Sequence, residues 1–553
     1  VSDAGQTVDL VIIGSGGGGL VAALAGAEAG LQCLVIEKQS LVGGSTGMSG
    51  GVVWLPNNPL MREQDAGDSE EAGLEHLGAV IGDVGAASSP ARRLAFLRQG
   101  NEMVDLLRSE GVRFERAIGY SDYYSDAAGG RDDGRSLEPL PFNEAGLGEW
   151  QGKVMPGLAS AIGLVVKTNE LRSLQYFNRS IRCLLVAARV FTRTQVARLR
   201  GRKMLTNGSS LVGQTLKAVL ARDVPIWLST PFEGLVTEDE RVVGVRVRRD
   251  GQSVEIRARR AVLLAAGGFG RNAEMRRKFS GEQPNEAQWT VSNPGDTGEV
   301  LEAAMALGAA TDLMDEAWWL PSTRRELGGS TLGQARQRPG AILVNDRGQR
   351  FVNEANSMVE VGKAMYANGA VPAWIITDDR YRRRYANGKS RPGLLPQDWI
   401  DRGWVRRADT IGELARQIGL DPLELESTVA RFNRTAANGE DPEFGRGRSA
   451  YNRCMGDPGH SPNGALGPLL KAPFYAAELF PADVGTCGGL LTDEHARVLR
   501  EDGTPVPGLY ATGNITATVL GRSYPGAGAS IASTMIFGYA AARHVRTVGQ
   551  ETS

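Results

Sequence analysis

VDLVIIGSGGGGLVAALAGAEAG, residues 8–30, reads as a buried strand over Leu10–Ile13, a glycine turn and then a helix. Gly14, Gly16 and Gly19 stand at the spacing G-x-G-x-x-G. In that spacing the first glycine permits the tight turn and the second lets the backbone approach a pyrophosphate. The third lets helix pack on strand. The helix start adds free N–H groups and a dipole that favours anionic phosphate. A second strand, LQCLVIEK (31–38), brings Glu37 to its end, 23 residues after Gly14, where a carboxylate can accept a ribose hydroxyl. Ser15 in the turn and Lys38 beside the acid join the candidate set. Strand, turn, helix, strand and acid in register predict a dinucleotide-binding unit.

Later segments decide which dinucleotide. SLVGGSTGMSGGVVWLP (40–56) is a second glycine-rich stretch, where a nicotinamide domain would continue its alternating units. Gly44, Ser45, Thr46, Gly50 and Gly51 are its candidate cofactor contacts. A strand pair follows at 235–258, with Val236 assigned to the cofactor, then RAVLLAAGGFG (260–270), a strand ending in Ala266 and Gly267. GLYATGN (508–514) runs into Gly513 and Asn514 ahead of the last helix, whose start carries Ser530 and Ile531. A nucleotide fold begun at one end of a chain and completed at the other is the arrangement of large FAD proteins. Residues 1–155, 205–315 and 486–553 are read as the FAD domain, 156–204 as a helical insertion and 316–485 as a catalytic domain. That last block alternates strands such as PGAILVN and PAWIITD with helices such as TIGELARQIG. An active site is expected where the two domains meet.

Composition narrows the classes. A chain of 553 residues is long for a single core. A net charge of −1 offers no global attraction to nucleic acid, and none is expected as a partner. Cys33, Cys183, Cys454 and Cys487 form no close pair and no metal spacing, which suits a reduced, cytoplasmic protein without a metal centre. The opening residues lack the basic-then-apolar order of a secretory signal.

GGSTGMSGGVVWLP, YSDYYSD followed by GRSLEPL, GGFGRNAEM, GQRFVNE, GTCGGLLTDEHARVL, GLYATGN and SYPGAG together resemble the 3-ketosteroid Δ1-dehydrogenases. These belong to the flavoprotein superfamily of succinate dehydrogenase and fumarate reductase. The resemblance runs over nearly the whole chain. It implies an α/β fold: a three-layer, Rossmann-like FAD domain of the GR2 type with an inserted α+β catalytic domain. It further implies desaturation of the bond beside a ring ketone, with an α-proton lost to a base and a hydride passed to flavin N5. The turn GRSYPGAGASIAS (521–533) then gains a purpose. Tyr524 and the Gly528 N–H match the family's pair of donors to the ketone oxygen, where enolate charge develops. Tyr123 matches a tyrosine that supports proton removal. Trp318 and Tyr120 are expected at the substrate pocket. With no histidine in GGSTGMSGG and only four in the chain, FAD is expected to be held noncovalently. The electron acceptor is expected to be quinone-like or replaceable by a dye.

The family pattern breaks at Met358 in FVNEANSMVE (351–360), where its proton-abstracting tyrosine would stand. A thioether neither gives nor takes a proton. Met358 is read as a pocket wall, with Tyr120, Tyr123, Tyr124 and Tyr176 as candidate replacement bases and Tyr176 placed in the pocket. The substrate class stays open between a steroid and a small cyclic ketone such as cyclohexanone. An ene reductase of the fumarate reductase type and a non-catalytic flavin protein are the rival readings. Residues 167–203 carry ten basic residues against one acid, a local exception to the balanced charge. Leu174, Phe177, Ile181, Leu184, Leu185 and Ala188 recur at helical spacing within it. Three readings apply: a packed helical hairpin, a peripheral membrane contact, and a basic contact between subunits.

Overall fold

The computed structural model describes residues 6–157, 159, 163–329, 333–386 and 388–548. Its principal sheet is built around the segment that opens the chain. Strand β1 (Thr7–Ile13) lies parallel to β2 (Cys33–Ile36) on one side. On its other side lies the long β3 (Gln252–Leu264), also parallel. Helix α1 (Gly17–Glu28) is the crossover between β1 and β2. A strand over Ile226–Trp227 extends the sheet beyond β2, and Pro505–Ala511 joins parallel to β3 at the far side. The hairpin Phe232–Glu238 and Arg241–Arg249 pairs onto β3, completing eight strands with Arg497–Leu499 at the edge. β1 begins three residues before the expected Leu10, because Thr7 and Val8 pair with Arg257 and Ala258.

Both faces of this sheet are covered, so its strands read as continuous apolar runs rather than alternating ones. Leu10, Val11 and Ile12 are each fully buried. The last helix, Ala529–Val548, packs on α1 and closes the layer that the amino-terminal unit began. Segments from the two ends of the chain therefore share one sheet and one helical layer. A Cβ on Gly19 would stand 2.0 Å from the Gly14 carbonyl oxygen, so helix and turn touch backbone to backbone there.

The middle of the chain forms a second sheet of four antiparallel strands, ordered Ala341–Val344, Ala373–Thr377, Phe474–Leu479 and Val405–Ala408. Under it lies a buried ion network. Arg350 makes two contacts with Glu354 and two with Asp441, and Arg446 reaches the same Glu354 at 3.0 Å. Buried charges persist only when paired in this way. The network fixes the RFVNE turn and so positions the helix Met358–Ala367, which starts four residues after Glu354. The strand Ala317–Trp319 pairs with Asp483–Thr486, binding the entry of this region to its exit.

The basic insertion is two helices, Thr168–Leu174 (α2) and Ile181–Leu199 (α3), and not the single face that the periodicity suggests. The chain turns over 175–180, so Leu174 and Phe177 do not share a helix with Ile181. Tyr176 in that turn corrects the sequence expectation. Its ring is buried against Tyr385 at 6.2 Å and its hydroxyl donates to the Met455 carbonyl at 3.1 Å. Tyr176 is a core residue of the second region.

Candidate active site

A cavity of about 520 Å³ runs from the β1–α1 turn to the start of the last helix. Its walls come from every segment singled out as glycine-rich. Gly14, Ser15 and Gly16 line it, as do Glu37, Lys38, Gly44, Ser45, Thr46, Gly50 and Gly51. Ala266, Gly267, Gly513, Asn514, Ser530 and Ile531 complete that wall. A Cβ on Gly16 would meet no atom within 4 Å, which leaves room for a phosphate against the backbone. Glu37 is buried, with one carboxylate oxygen accepting from the Ser15 N–H and hydroxyl at 3.0 and 2.6 Å. The other accepts the Gln39 N–H at 2.8 Å, which leaves lone pairs for a ribose. These residues fit FAD.

Two cofactor candidates stand elsewhere. Gly19 serves the packing described above and does not line the cavity. Val236 lies in the hairpin strand opposite Gly244 and does not line the cavity. A strand-pair motif predicts that placement, because its registry is set by the neighbouring strand.

At the other end of the cavity the side chains are aromatic. Tyr120, Tyr123, Trp318, Met358 and Tyr524 all line it, with Gly528 beside them. The Trp318 ring stands edge-on to Tyr524 at 5.2 Å and its indole N–H donates to Asn514 Oδ1 at 3.0 Å. Trp319 turns the other way, into the core, where its indole donates to Glu316 at 3.2 Å. The Tyr524 hydroxyl shares a hydrogen bond with the Ser530 hydroxyl at 3.1 Å. Burial raises the Tyr524 phenol above its usual range, opposed by the Ser530 hydroxyl and by the backbone N–H groups of Ser530 and Gly528. A phenol and two N–H groups thus converge at a helix start, a favourable place for negative charge.

Glycine is required at 528. Its φ is +91°, and a Cβ there would stand 2.0 Å from the Val52 carbonyl oxygen. Trp54, the neighbour of Val53, is tied to Asp122 by a 2.7 Å bond, and Arg135 joins Asp122 to Asp68. The Tyr524–Gly528 turn therefore rests on a buried polar cluster that also carries Tyr123.

The structure adds residues for which the sequence held little signal. The Tyr451 ring lies tilted against that of Tyr123, centroids 4.4 Å apart, having come from the Gly/Pro-rich loop over 438–467. The hydroxyls of Tyr120 and Tyr451 both interact with that of Tyr123. Burial, then the neighbouring phenols, holds Tyr123 well above the ordinary tyrosine range. Arg336 is fully buried beside this group and burial lowers its pKa to about 10, with Tyr451 opposing that shift most. Asp296 lines the cavity near Ser45, whose hydroxyl bonds it at 3.2 Å. Burial pushes its carboxyl up to about 7, opposed by Ser45 and Lys38. An aspartate between glycines, NPGDTG, is the only hint that the sequence offered. Tyr124 bonds Glu360 at 2.9 Å and does not line the cavity. Nor does any of the four histidines.

Comparison with known proteins agrees with this geometry. The family model described as FAD binding domain matches residues 9–531. The chain is 40% identical to a 3-oxosteroid 1-dehydrogenase of Mycobacterium tuberculosis, over 98% of both chains. It is 33% identical to a 4-oxocyclohex-2-ene-1-carboxylate 5-dehydrogenase of Sinomonas cyclohexanicum, covering 97% of this chain and 93% of the other. Its structure superposes with a TM-score of 0.91 on a 3-ketosteroid Δ1-dehydrogenase of Sterolibacterium denitrificans, solved in complex with 1,4-androstadiene-3,17-dione. That match has 36% identity and covers 98% of this chain and all of the other. With a dinucleotide cradle at one end of its cavity and a phenol converging with backbone N–H groups at the other, the chain belongs to the 3-ketosteroid Δ1-dehydrogenase-like flavoproteins, FAD-dependent oxidoreductases acting on CH–CH bonds.

Proposed function

We propose that the chain introduces a double bond beside the ketone of a 3-ketosteroid. The observation that carries this reading is the convergence of the Tyr524 hydroxyl and the Gly528 N–H at the start of the last helix. Bound FAD supplies the hydride acceptor. The ketone oxygen takes hydrogen bonds from Tyr524 Oη and Gly528 N, which stabilise the enolate charge as the α-proton leaves. Trp318 and Met358 form apolar walls that hold the ring and exclude water from it.

The proton needs a route that Met358 does not provide. Tyr123 Oη accepts it while passing its own proton to Tyr120, which releases its hydroxyl proton to water. Desolvation makes a free tyrosinate costly at Tyr123, so the transfers are coupled. Arg336 lends positive charge behind the pair, and Tyr451 packs against Tyr123 as a hydrogen-bonding neighbour. Tyr120, half-buried like Tyr123, gives the proton its outlet. The proton and hydride leave from adjacent carbons; FAD, which the Gly14–Gly16 turn and Glu37 would hold, would take the hydride, and a quinone or an artificial dye would serve as the final acceptor.

A small cyclic ketone is a second substrate reading, favoured by Met358 and by the oxocyclohexene-carboxylate relative. The fumarate reductase-type reading loses support, because among the described residues no arginine or histidine lines the cavity to clamp a dicarboxylate. Anaerobic mixing of the yellow holoenzyme with a 3-ketosteroid, and separately with a 4-oxocyclohexanecarboxylate, tests both. Rapid bleaching of flavin absorbance by the steroid is the expected result. Bleaching by the small ketone alone would replace the substrate class, and bleaching by neither would remove the ketone reading.

A further inference from the structure

The second helix of the basic insertion packs on the molecule by one face and offers an apolar face to solvent. Cys183, Val190, Thr194 and Ala197 are buried beneath α3. On the opposite side Ile181 is 79% exposed, Leu184 54%, Leu185 65%, Phe191 61% and Leu199 87%. At 100° per residue these five positions fall within about 120° of one another, so they share one side of a helix about 28 Å long, with the exposed Ala188 and Thr192 between them. Scattered exposed apolar residues are ordinary, but several large ones gathered on one side of a helix mark a contact surface.

The flanks of the stripe are cationic. Arg182, Arg189 and Arg200 are exposed and, among the described residues, meet no carboxylate. The one acid of the segment, Glu170, is buried and held by Arg193 and by the Lys167 N–H. Apolar ridge and basic border together match an anionic bilayer, in which the ridge enters the acyl boundary while the guanidinium groups meet headgroup phosphates. A second copy of the chain would fit less well, since pairing two such ridges brings arginine flanks against each other.

The same insertion touches the cavity. Thr168, at the start of α2, lines it, and the Arg172 guanidinium lies 5.3 Å from the ring of Tyr120, another lining residue. We propose that α3 is an in-plane membrane anchor which lays its Ile181–Leu199 stripe on an anionic lipid surface and holds the cavity entrance near the bilayer. The value of that position to a lipophilic ketone rests on the function proposed above; the membrane contact itself does not.

Sedimentation of the holoenzyme with vesicles tests the anchor. Wild-type protein should pellet at low salt with phosphatidylcholine vesicles containing about a third phosphatidylglycerol, and be released as salt screens the arginines. Leu185→Glu/Phe191→Glu should abolish pelleting, while FAD content and ketone turnover in vesicle-free buffer stay at wild-type levels. Arg182→Glu/Arg189→Glu should lower vesicle affinity by at least about tenfold. Wild-type protein that stays in the supernatant with anionic vesicles at low salt overturns the proposal. So does vesicle binding that survives both variants. A wild-type dimer in light scattering that Leu185→Glu/Phe191→Glu converts to monomer would assign the stripe to a second copy instead. Because vesicle binding is read without substrate, its failure and the failure of the ketone reading are separate results.

Discussion

The backbone N–H of Tyr123 donates to the carbonyl of Pro525 at 2.8 Å, and the Tyr123 ring stacks on that of Tyr524 at 5.6 Å. Two loops about 400 residues apart in sequence are thereby held as one unit. In the proposed reaction, polarisation of the ketone and removal of the proton would share a single rigid frame, which is what preorganised catalysis demands.

Tyr524→Phe removes one ketone donor and leaves the ring that packs on Trp318. FAD content and melting temperature should stay close to wild type, while the rate of flavin reduction by a ketone falls about a hundredfold. Stopped-flow absorbance measures that rate. A near wild-type value would leave Tyr524 as a packing residue.

Tyr123→Phe should slow reduction across the accessible pH range, since the relay loses the hydroxyl that takes the substrate proton. Tyr451→Phe should slow it less, because Tyr120 still accepts a proton. Met358→Ala should change substrate affinity and leave the pH profile in place. Installing a tyrosine by Met358→Tyr should slow reduction or leave it level, because a base is already present. A large gain in that variant would show that the wild-type pocket lacks a base for steroid ketones.

Acid precipitation of the purified protein should release FAD, and not FMN, into the supernatant. The Gly14–Gly16 turn and Glu37 fit an adenosine half, and among the described residues no histidine borders the cavity to form a covalent link. Colour retained in the pellet would contradict this.

Asp296 predicts a pH dependence of cofactor retention. Its carboxyl is raised to about 7 in the folded protein, above the range of an exposed aspartate. The folded state therefore holds a proton that the unfolded state releases between roughly pH 4 and 7. Stability from this group is complete at the acid end of that window and is lost as pH rises through about 7. A neutral carboxyl in this wall would also suit an anionic cofactor in the cavity better than a carboxylate would. FAD dissociation should accelerate as pH rises from 6 to 8, about threefold or more. Asp296→Asn should flatten that dependence. Equal slopes in both proteins would show that Asp296 does not titrate in the holoenzyme.

The dinucleotide unit was legible in the sequence because its physics is local. Gly14, Gly16, Gly19 and Glu37 act within one strand–turn–helix–strand segment, where spacing along the chain is spacing in space. The Tyr524–Gly528 pair came from the family resemblance, since spacing alone marks only a Tyr-Pro-Gly turn ahead of a helix. The tyrosine relay was not. Tyr451 and Arg336 meet Tyr123 only because the Arg350–Glu354–Arg446 network folds a long loop back over the cavity, and no periodicity encodes such a meeting. Tyr176 misled for the complementary reason: a tyrosine in a basic segment looks available until a turn buries it against Tyr385. Helical spacing likewise marked Ile181, Leu184 and Leu185 as one face of a helix. Packing alone decided that this face looks outward, because Cys183, Val190 and Ala197 took the inner side.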